Sequence, residues 1–185
     1  FVLLLVGVMA AQLELASNLE AEVQKRHIEE QKRQSLEQAL AIPLASGRIT
    51  LNNGRIGISG KLLFGLNSDQ LQPEGRQLLK SLVGPLRSYL AMRDEILMVS
   101  GFTDDKVVTS SNRQFADNWE LSAQRSLTVT RTLIEEGMPP SMLFAAAFGQ
   151  EQPLVPNSSD KARAQNRRVE IAPVPRASGE VKNKP

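Results

Sequence analysis

The 185-residue chain carries a formal net charge of +2 with its charges interspersed, which gives little support to nucleic-acid binding. Its length allows one domain with a hydrophobic core plus an extension. It has no cysteine and only one histidine, His27, which excludes disulfides, thiolate chemistry and any catalytic triad or zinc site built on histidine.

The first eleven residues form an apolar run, FVLLLVGVMAA (1–11). A helix that spans a bilayer needs about 20 residues, so this run is too short by itself. Because the chain begins with Phe rather than Met, we expect the run to be the C-terminal part of a transmembrane anchor. The alternative is the apolar region of a signal peptide.

The next segment, 12–46, is expected to be a helical stalk or linker. Residues 12–41 contain no Gly or Pro and are rich in helix formers, so they predict a helix about 45 Å long that Pro43 ends. The sparse apolar residues do not sustain a heptad repeat. A weak dimeric stalk, a helix resting on the membrane or on a partner, and a solvated spacer therefore all stay open.

A folded domain is predicted for 47–175. It opens with two short alternating strands around Asn53-Gly54, a hairpin signal, and continues as extended chain over 61–66. Ser68 and Asp69 are cap candidates for the helix that follows.

The remaining elements alternate between helix and strand. We predict helices over 73–92 and 118–136, a short helical segment over 158–164, and strands over 96–100, 144–148 and 168–172. This order predicts an α+β fold, a β-α-β-α-β sandwich with the helices packed on one face of a mixed sheet, preceded by the long N-terminal helix. The tail 176–185 is expected to be disordered.

The second long helix has two distinct faces. Asp117 or Asn118 can cap its first turn. The helix is expected to dock on the core through one apolar arc, formed by Trp119, Ala123, Leu127, Val129, Thr130, Leu133 and Ile134. Asn118, Leu121 and Arg125 share the other arc, so something should cover Leu121.

A turn with the sequence TDD follows the strand 96–100, and its acid is expected to approach Arg125. A carboxylate from Asp104 beside a guanidinium suits a zwitterion, because one takes an ammonium group and the other takes a carboxylate. An ordinary ion pair that ties the strand to the helix is the structural alternative.

Four phrases, GFTDD, NWELSAQR, FGQEQP and QNRRVEI, resemble the OmpA/MotB family of peptidoglycan-binding domains over 62–171. The resemblance implies that Asp104 and Arg125 hold the free amino-acid end of diaminopimelate in the peptide stem. It places Thr103, Asn118 and Leu121 at neighbouring pocket positions, and Asn166 and Arg167 in the adjacent NRR element.

The NWELS wording and the long insert 106–117 look more like MotB, the flagellar stator subunit, than like an outer-membrane porin tail. The sequence departs from the family pattern twice. Phe102 stands where the family usually has His, and Gly65 stands where many members have Asp, which removes a possible pocket acid.

The resemblance implies a wall-binding protein without a cofactor or metal. It would be anchored in the inner membrane by a single pass, with the C-terminal domain in the periplasm, as a homodimer beside a MotA-like channel subunit. A Zorya-type anti-phage motor subunit and a general OmpA-like envelope anchor are the alternatives. A further alternative is an adaptor that binds only protein, in which the Asp–Arg pair would be a purely structural ion pair. An enzyme is not expected, because adjacent Asp104 and Asp105 would point apart.

Overall fold

The computed structural model describes residues 2–65, 68–108 and 115–177. Most of the predicted C-terminal tail and the middle of the insert before the second long helix lie outside these ranges. The chain divides into two compact units, Phe1–Gln38 and Ala39–Pro185.

Helix α1, Val2–Ala39, forms the first unit up to Gln38 and includes the apolar run at its start. Its leucines Leu13, Leu15 and Leu19 are exposed to solvent. Glu22 and Arg26 form an ion pair of 3.3 Å one turn apart on its surface. No helix in the described part of the chain is both long enough and apolar enough to cross a membrane.

Pro43 does not end the long helix, contrary to the prediction. Helix α1 ends at Ala39, and Pro43 is buried inside a second short helix, α2, Ala41–Ala45. Pro43 is the third residue of α2, where the backbone N–H has no partner within the helix, so the missing proline N–H costs no helical hydrogen bond there.

A five-stranded mixed sheet forms the centre of the second unit, in the order β1-β2-β5-β3-β4. Only β3 and β4 pair in parallel, and every other neighbouring pair is antiparallel. The strands are β1 Ile49–Asn52, β2 Arg55–Ser59, β3 Glu95–Phe102, β4 Leu143–Ala147 and β5 Arg168–Pro175. The helices are α3 Gly60–Leu63, α4 Pro73–Leu90, α5 Asn118–Glu135 and α6 Asp160–Asn166, with a 3-10 turn at Pro140–Met142.

The predicted hairpin is confirmed. Strands β1 and β2 are antiparallel, and the two turn residues Asn53 and Gly54 have φ angles of 51° and 75°. Asn and Gly are the residues that adopt this left-handed region most readily, so the turn follows directly from the local sequence.

Helices α4 and α5 pack on one face of the sheet, as the α+β prediction states. The core between these layers contains fully buried leucines of α4 and buried aliphatic residues of the central strands, namely Leu79, Leu82, Leu86, Leu97, Val99, Val169 and Ile171. Each such side chain contributes about 1.5–3 kcal/mol through burial, so this layer supplies much of the stability of the domain.

The face through which α5 docks agrees with the predicted one only in part. Val129, Thr130 and Leu133 of the predicted arc are buried. Trp119, which the apolar arc included, is 50% exposed, whereas Leu121 is buried. The small residue Ser122 lies against Gly101 of β3, where a Cβ on Gly101 would approach the Ser122 carbonyl oxygen to 2.0 Å. Close approach of two backbones therefore decided the orientation, which hydrophobicity alone did not indicate.

Two local predictions between β2 and α4 are wrong. Residues 60–63 form the short helix α3 rather than extended chain. Ser59 caps this helix, and the Gly60 N–H donates to the Arg167 carbonyl at 2.8 Å. The N-cap of α4 is Gln72, without a side-chain hydrogen bond, and Pro73 starts the helix. Ser68 Oγ instead accepts from the Gln70 N–H at 2.9 Å.

Candidate functional site

The acid turn begins directly after β3 and is held from several sides. The Thr103 N–H donates to the Gly149 carbonyl at 2.8 Å, and Thr103 Oγ1 donates to the Asp104 carbonyl at 3.0 Å. Asp104 Oδ1 accepts from the Lys106 N–H at 3.0 Å. Asp104 is only 6% exposed, so its carboxylate is a fixed charge rather than a mobile surface group.

Arg167 forms the ion pair with Asp104. Arg167 Nη1 donates to Asp104 Oδ2. The register of β3 and β5, in which Phe102 is opposite Arg168, brings the residue before β5 to the turn after β3. The side chain of Arg167 remains 39% exposed, so this pair is partly open to solvent.

Arg125 lies on the second turn of α5 and is 6% exposed. Its Nε donates to the Ser68 carbonyl at 3.0 Å, and its guanidinium lies 5.2 Å from the centre of the Phe64 ring. Burial, followed by repulsion from Arg167, lowers the pKa of Arg125 to about 10, while Asp104 and Asp69 act in the opposite direction. The structure therefore brings Asp104, Arg167 and Arg125 into one electrostatic cluster.

Asn118 connects α5 to the acid turn. Its Nδ2 donates to the carbonyls of Asp104 at 3.3 Å and Lys106 at 3.0 Å, and to Gln150 Oε1 at 2.9 Å. The first turn of α5 is capped by Asp117, whose Oδ1 accepts from the Glu120 N–H at 2.8 Å. The predicted pocket residue Leu121 is buried beside these groups on α5. Asn118 thus helps to position the Asp104 carboxylate, consistent with a site built on the acid turn and α5 together.

Asn166 has a supporting position. It is fully buried, its Oδ1 accepts from the N–H groups of Leu154 and Val155 at 2.8 and 3.2 Å, and its Nδ2 donates to the Val155 carbonyl at 2.8 Å and to Asn157 Oδ1 at 2.7 Å. All four of its hydrogen-bonding positions are therefore used in holding the loop after β4.

The two departures from the family pattern lie in different places. The Phe102 side chain stacks on Phe148 with ring centres 5.1 Å apart and lies 3.8 Å from the Arg168 guanidinium. Side chains alternate along β3, and Gly101 faces α5, so Phe102 lies on the face of the sheet opposite the helix that carries Arg125. A Cβ on Gly65 would meet only the Ser68 Cβ, at 3.7 Å, so this position has room for a side chain.

Three residues of the cluster were not predicted from the sequence. Phe64 and Ser68 contact Arg125, and Asp69 influences its pKa. Asp69 and Ser68 were interpreted as helix caps, and no local pattern connects them with a helix more than fifty residues away. Within the described residues, no group of three or more His, Cys, Asp or Glu side chains is placed to hold a metal.

This architecture, with a fixed carboxylate after β3 and a buried guanidinium on the following helix, defines the class of OmpA/MotB-type peptidoglycan-binding domains. The OmpA family model matches residues 63–167, which is more than half of the chain. The chain belongs to the OmpA family. The resemblance predicted from the four sequence phrases is therefore confirmed.

Relatives and solved structures agree with this assignment. Motility protein B of Bacillus subtilis is 29% identical over 178 residues, which cover 95% of this chain and 62% of that protein. The crystal structure of a MotB-like protein from Desulfovibrio vulgaris has a TM-score of 0.67 and 32% identity, covering 83% of this chain and 99% of the other. The structure of the cell wall anchor of the T6SS from Pseudomonas aeruginosa has a TM-score of 0.64 and 26% identity. The match covers 74% of this chain and 94% of the other.

The chain spans less than two thirds of the length of the Bacillus protein. The family and these neighbours support a domain that binds peptidoglycan and anchors an envelope protein.

Proposed function

We propose that the protein binds peptidoglycan without a covalent bond by holding the free amino-acid end of diaminopimelate in the peptide stem. Asp104 would take the ammonium group and Arg125 the carboxylate. The observation that carries this proposal is Arg125, a buried cation whose pKa is lowered to about 10 and whose Nε donates to a backbone carbonyl. The hydrogen bond from its Nε goes to the neutral Ser68 carbonyl, so a ligand carboxylate would add a charged partner for the guanidinium.

Asp104 keeps acceptor capacity for the ammonium group. Its two oxygens offer about four lone-pair positions, and the Lys106 N–H and Arg167 Nη1 each use one. An incoming ammonium group would therefore share the carboxylate with Arg167 rather than displace it.

We propose a binding protein rather than an enzyme. The neighbouring Asp105 pairs with Arg163 of α6 at 3.0 Å. The two carboxylates at the turn therefore point to different partners and do not form the facing pair that glycoside hydrolysis uses. Cleavage of peptidoglycan by the purified protein in a zymogram would overturn this view.

Asp104→Asn should reduce binding to purified peptidoglycan sacculi by about 30-fold or more, because the ligand ammonium group would lose a fixed buried carboxylate. The measurement is co-sedimentation of the protein with sacculi over a range of sacculus concentrations. Asp105→Asn is the matched control, since it makes the same change at the next residue, and it should bind like the parent. Equal binding by all three proteins would remove Asp104 from the site.

Arg125→Lys should make binding sensitive to moderately alkaline pH. A lysine starts from a pKa of about 10.4, and the burial that lowers the pKa of Arg125 would lower that of a lysine further into the titratable range. As pH rises through this lowered pKa the cation is lost, so the variant should release sacculi at a lower pH than the parent does. Parallel pH profiles for the two proteins would argue against a cationic role.

We further propose that the protein anchors an ion-driven, MotB-like stator complex to the wall. The likeness to Motility protein B extends over 95% of the chain, beyond the OmpA match at 63–167 and into α1. In this proposal α1 leads to a single-pass inner-membrane anchor, the second unit lies in the periplasm, and the protein is a homodimer beside a MotA-like channel subunit.

Two other settings use the same wall-binding step. One is the B subunit of a Zorya-type anti-phage motor, and the other is an envelope anchor without a motor, a role to which the likeness to the T6SS cell wall anchor gives support. Purification of the full-length protein from native membranes distinguishes them, since a channel subunit should co-purify in either motor setting and should be absent with a simple anchor.

A further inference from the structure

A groove of about 960 Å³ lies on the sheet face opposite α4 and α5. We call it the basic groove. It runs between the β1–β2 hairpin, the loop after β4 and α6, and its floor includes the stacked rings of Phe102 and Phe148. Its lining includes none of Asp104, Arg125 and Arg167, so it is a different site from the Asp104 cluster.

The charges that line the basic groove are mostly positive. Four cations, Arg48, Arg55, Lys161 and Arg168, face a single carboxylate, Glu170, so the lining carries a net charge of 4 − 1 = +3. Glu170 accepts from Arg168 Nε at 2.7 Å and from Arg55 Nη1 at 3.1 Å. Glu170, the only acid among the described residues that line the groove, is therefore already paired.

Arg168 is fixed at the base of the groove. Besides Glu170, it donates to the carbonyls of Asn166 at 3.2 Å and Gln152 at 3.1 Å, and it lies over the Phe102 ring. Arg48 and Lys161, by contrast, are exposed at opposite sides of the groove, on the hairpin and on α6. Within the described residues neither forms an ion pair, so their charge remains available to an anionic ligand.

The groove and the Asp104 cluster share two short stretches of chain. Phe102 lines the groove and Asp104 lies two residues further on, while Arg167 pairs with Asp104 and Arg168 lines the groove. A polymer held at Asp104 by one stem peptide could therefore contact the groove with another stem peptide, because residues of the two sites are close neighbours in the chain.

We propose that the basic groove is a second subsite for the same wall polymer, and that it takes free carboxylates of the peptide stems through Arg48 and Lys161. This inference rests on the proposed peptidoglycan binding. Stem peptides carry carboxylates in addition to the amino-acid end held at Asp104, and they are joined to one polymer. The second contact is then intramolecular, so weak exposed charges can strengthen the attachment measurably.

The test compares the double variant Arg48→Gln/Lys161→Gln with the control Lys80→Gln/Arg87→Gln, which removes one lysine and one arginine charge from the exposed surface of α4. The full chain is co-sedimented with sacculi that hydrofluoric acid has freed of phosphate-containing polymers, at several salt concentrations. The groove variant should bind roughly three- to tenfold more weakly at low salt and depend less on salt. The control should resemble the parent.

A second measurement uses a soluble muropeptide with a single stem peptide, which can occupy the Asp104 cluster but not both sites. The parent and the groove variant should bind this muropeptide with the same affinity, whereas Asp104→Asn should no longer bind it. A lower muropeptide affinity of the groove variant would mean that the substitutions disturb the first site, and this would overturn a separate subsite.

Three further outcomes are decisive. Equal binding of the groove variant and the parent to acid-treated sacculi would overturn the inference while leaving the proposed function in place. A loss confined to untreated sacculi would overturn the carboxylate assignment in favour of a phosphate polymer. If the parent itself fails to bind sacculi, both the proposed function and the proposed subsite are wrong.

Discussion

Arg125→Met should abolish binding to purified sacculi without lowering the melting temperature of the protein. Arg125 is 6% exposed, and burial is the largest cause of its lowered pKa, so the folded state disfavours this charge. Methionine fills a similar space without a charge to desolvate. Loss of one partner of a buried charge pair costs binding about 2–5 kcal/mol, which corresponds to roughly 30-fold or more.

The matched control is Arg131→Met on the same helix, where the arginine is exposed. It makes the same change and should leave both sacculus binding and melting almost unchanged. A clear drop in the melting temperature of Arg125→Met with binding retained would support a structural role. It would favour the interpretation that the cluster only ties α5 to the rest of the domain.

Gly101→Ala should destabilise the domain by on the order of 3 kcal/mol, which lowers the midpoint of urea unfolding. A Cβ at this position would lie 2.0 Å from the carbonyl oxygen of Ser122 and 2.8 Å from its carbonyl carbon. Both atoms belong to the α5 backbone, so no side-chain rotation relieves the contact. The helix would have to move away from β3, and because Arg125 is one turn beyond Ser122, binding should weaken as well.

Gly84→Ala provides the control for this substitution. Gly84 lies in the middle of α4, and an added Cβ would meet nothing within 4 Å. Alanine is the better helix former by about 1 kcal/mol, but a Cβ directly before Pro85 disfavours the helical backbone, so this variant should unfold close to the urea concentration of the parent. If Gly101→Ala and Gly84→Ala unfold at the same urea concentration, the close packing of α5 on β3 does not limit stability.

The elements of the second unit could be predicted because their signals are local. The hairpin depends on Asn53-Gly54, and the α5 termini depend on Asp117 and Gly137, which has a φ of 111°. Each of these residues determines the backbone within a few positions of itself. The α+β class followed from the order of such elements, and the structure confirmed it.

Predictions that depended on distant partners were less accurate. Residues 60–63 are helical, and the Gly60 N–H at the start of this helix donates to the carbonyl of Arg167, over a hundred residues later in the chain. The docking face of α5 was decided by the fit of Ser122 against Gly101. Periodicity reports the average hydrophobicity of a helix face, and it contains no information on where two backbones can touch.

The candidate site shows the same division. The chemical types of its main residues, an acid after β3 and an arginine on α5, could be read from the motif phrases. The ion pair between Asp104 and Arg167 joins residues 63 positions apart, and the register between β3 and β5 creates it. Gln150 and Ser68 were likewise not predictable as site residues. They lie on loops that the fold brings alongside α5.

The sequence by itself determined the hairpin, the long helices, the family, and which charged groups are present for binding. Only the tertiary structure decided which of those charges are paired, which are buried, and which face of the sheet each one occupies. The reason is that backbone preferences act over a few residues, whereas burial and ion pairing depend on strand register and on contacts between distant parts of the chain.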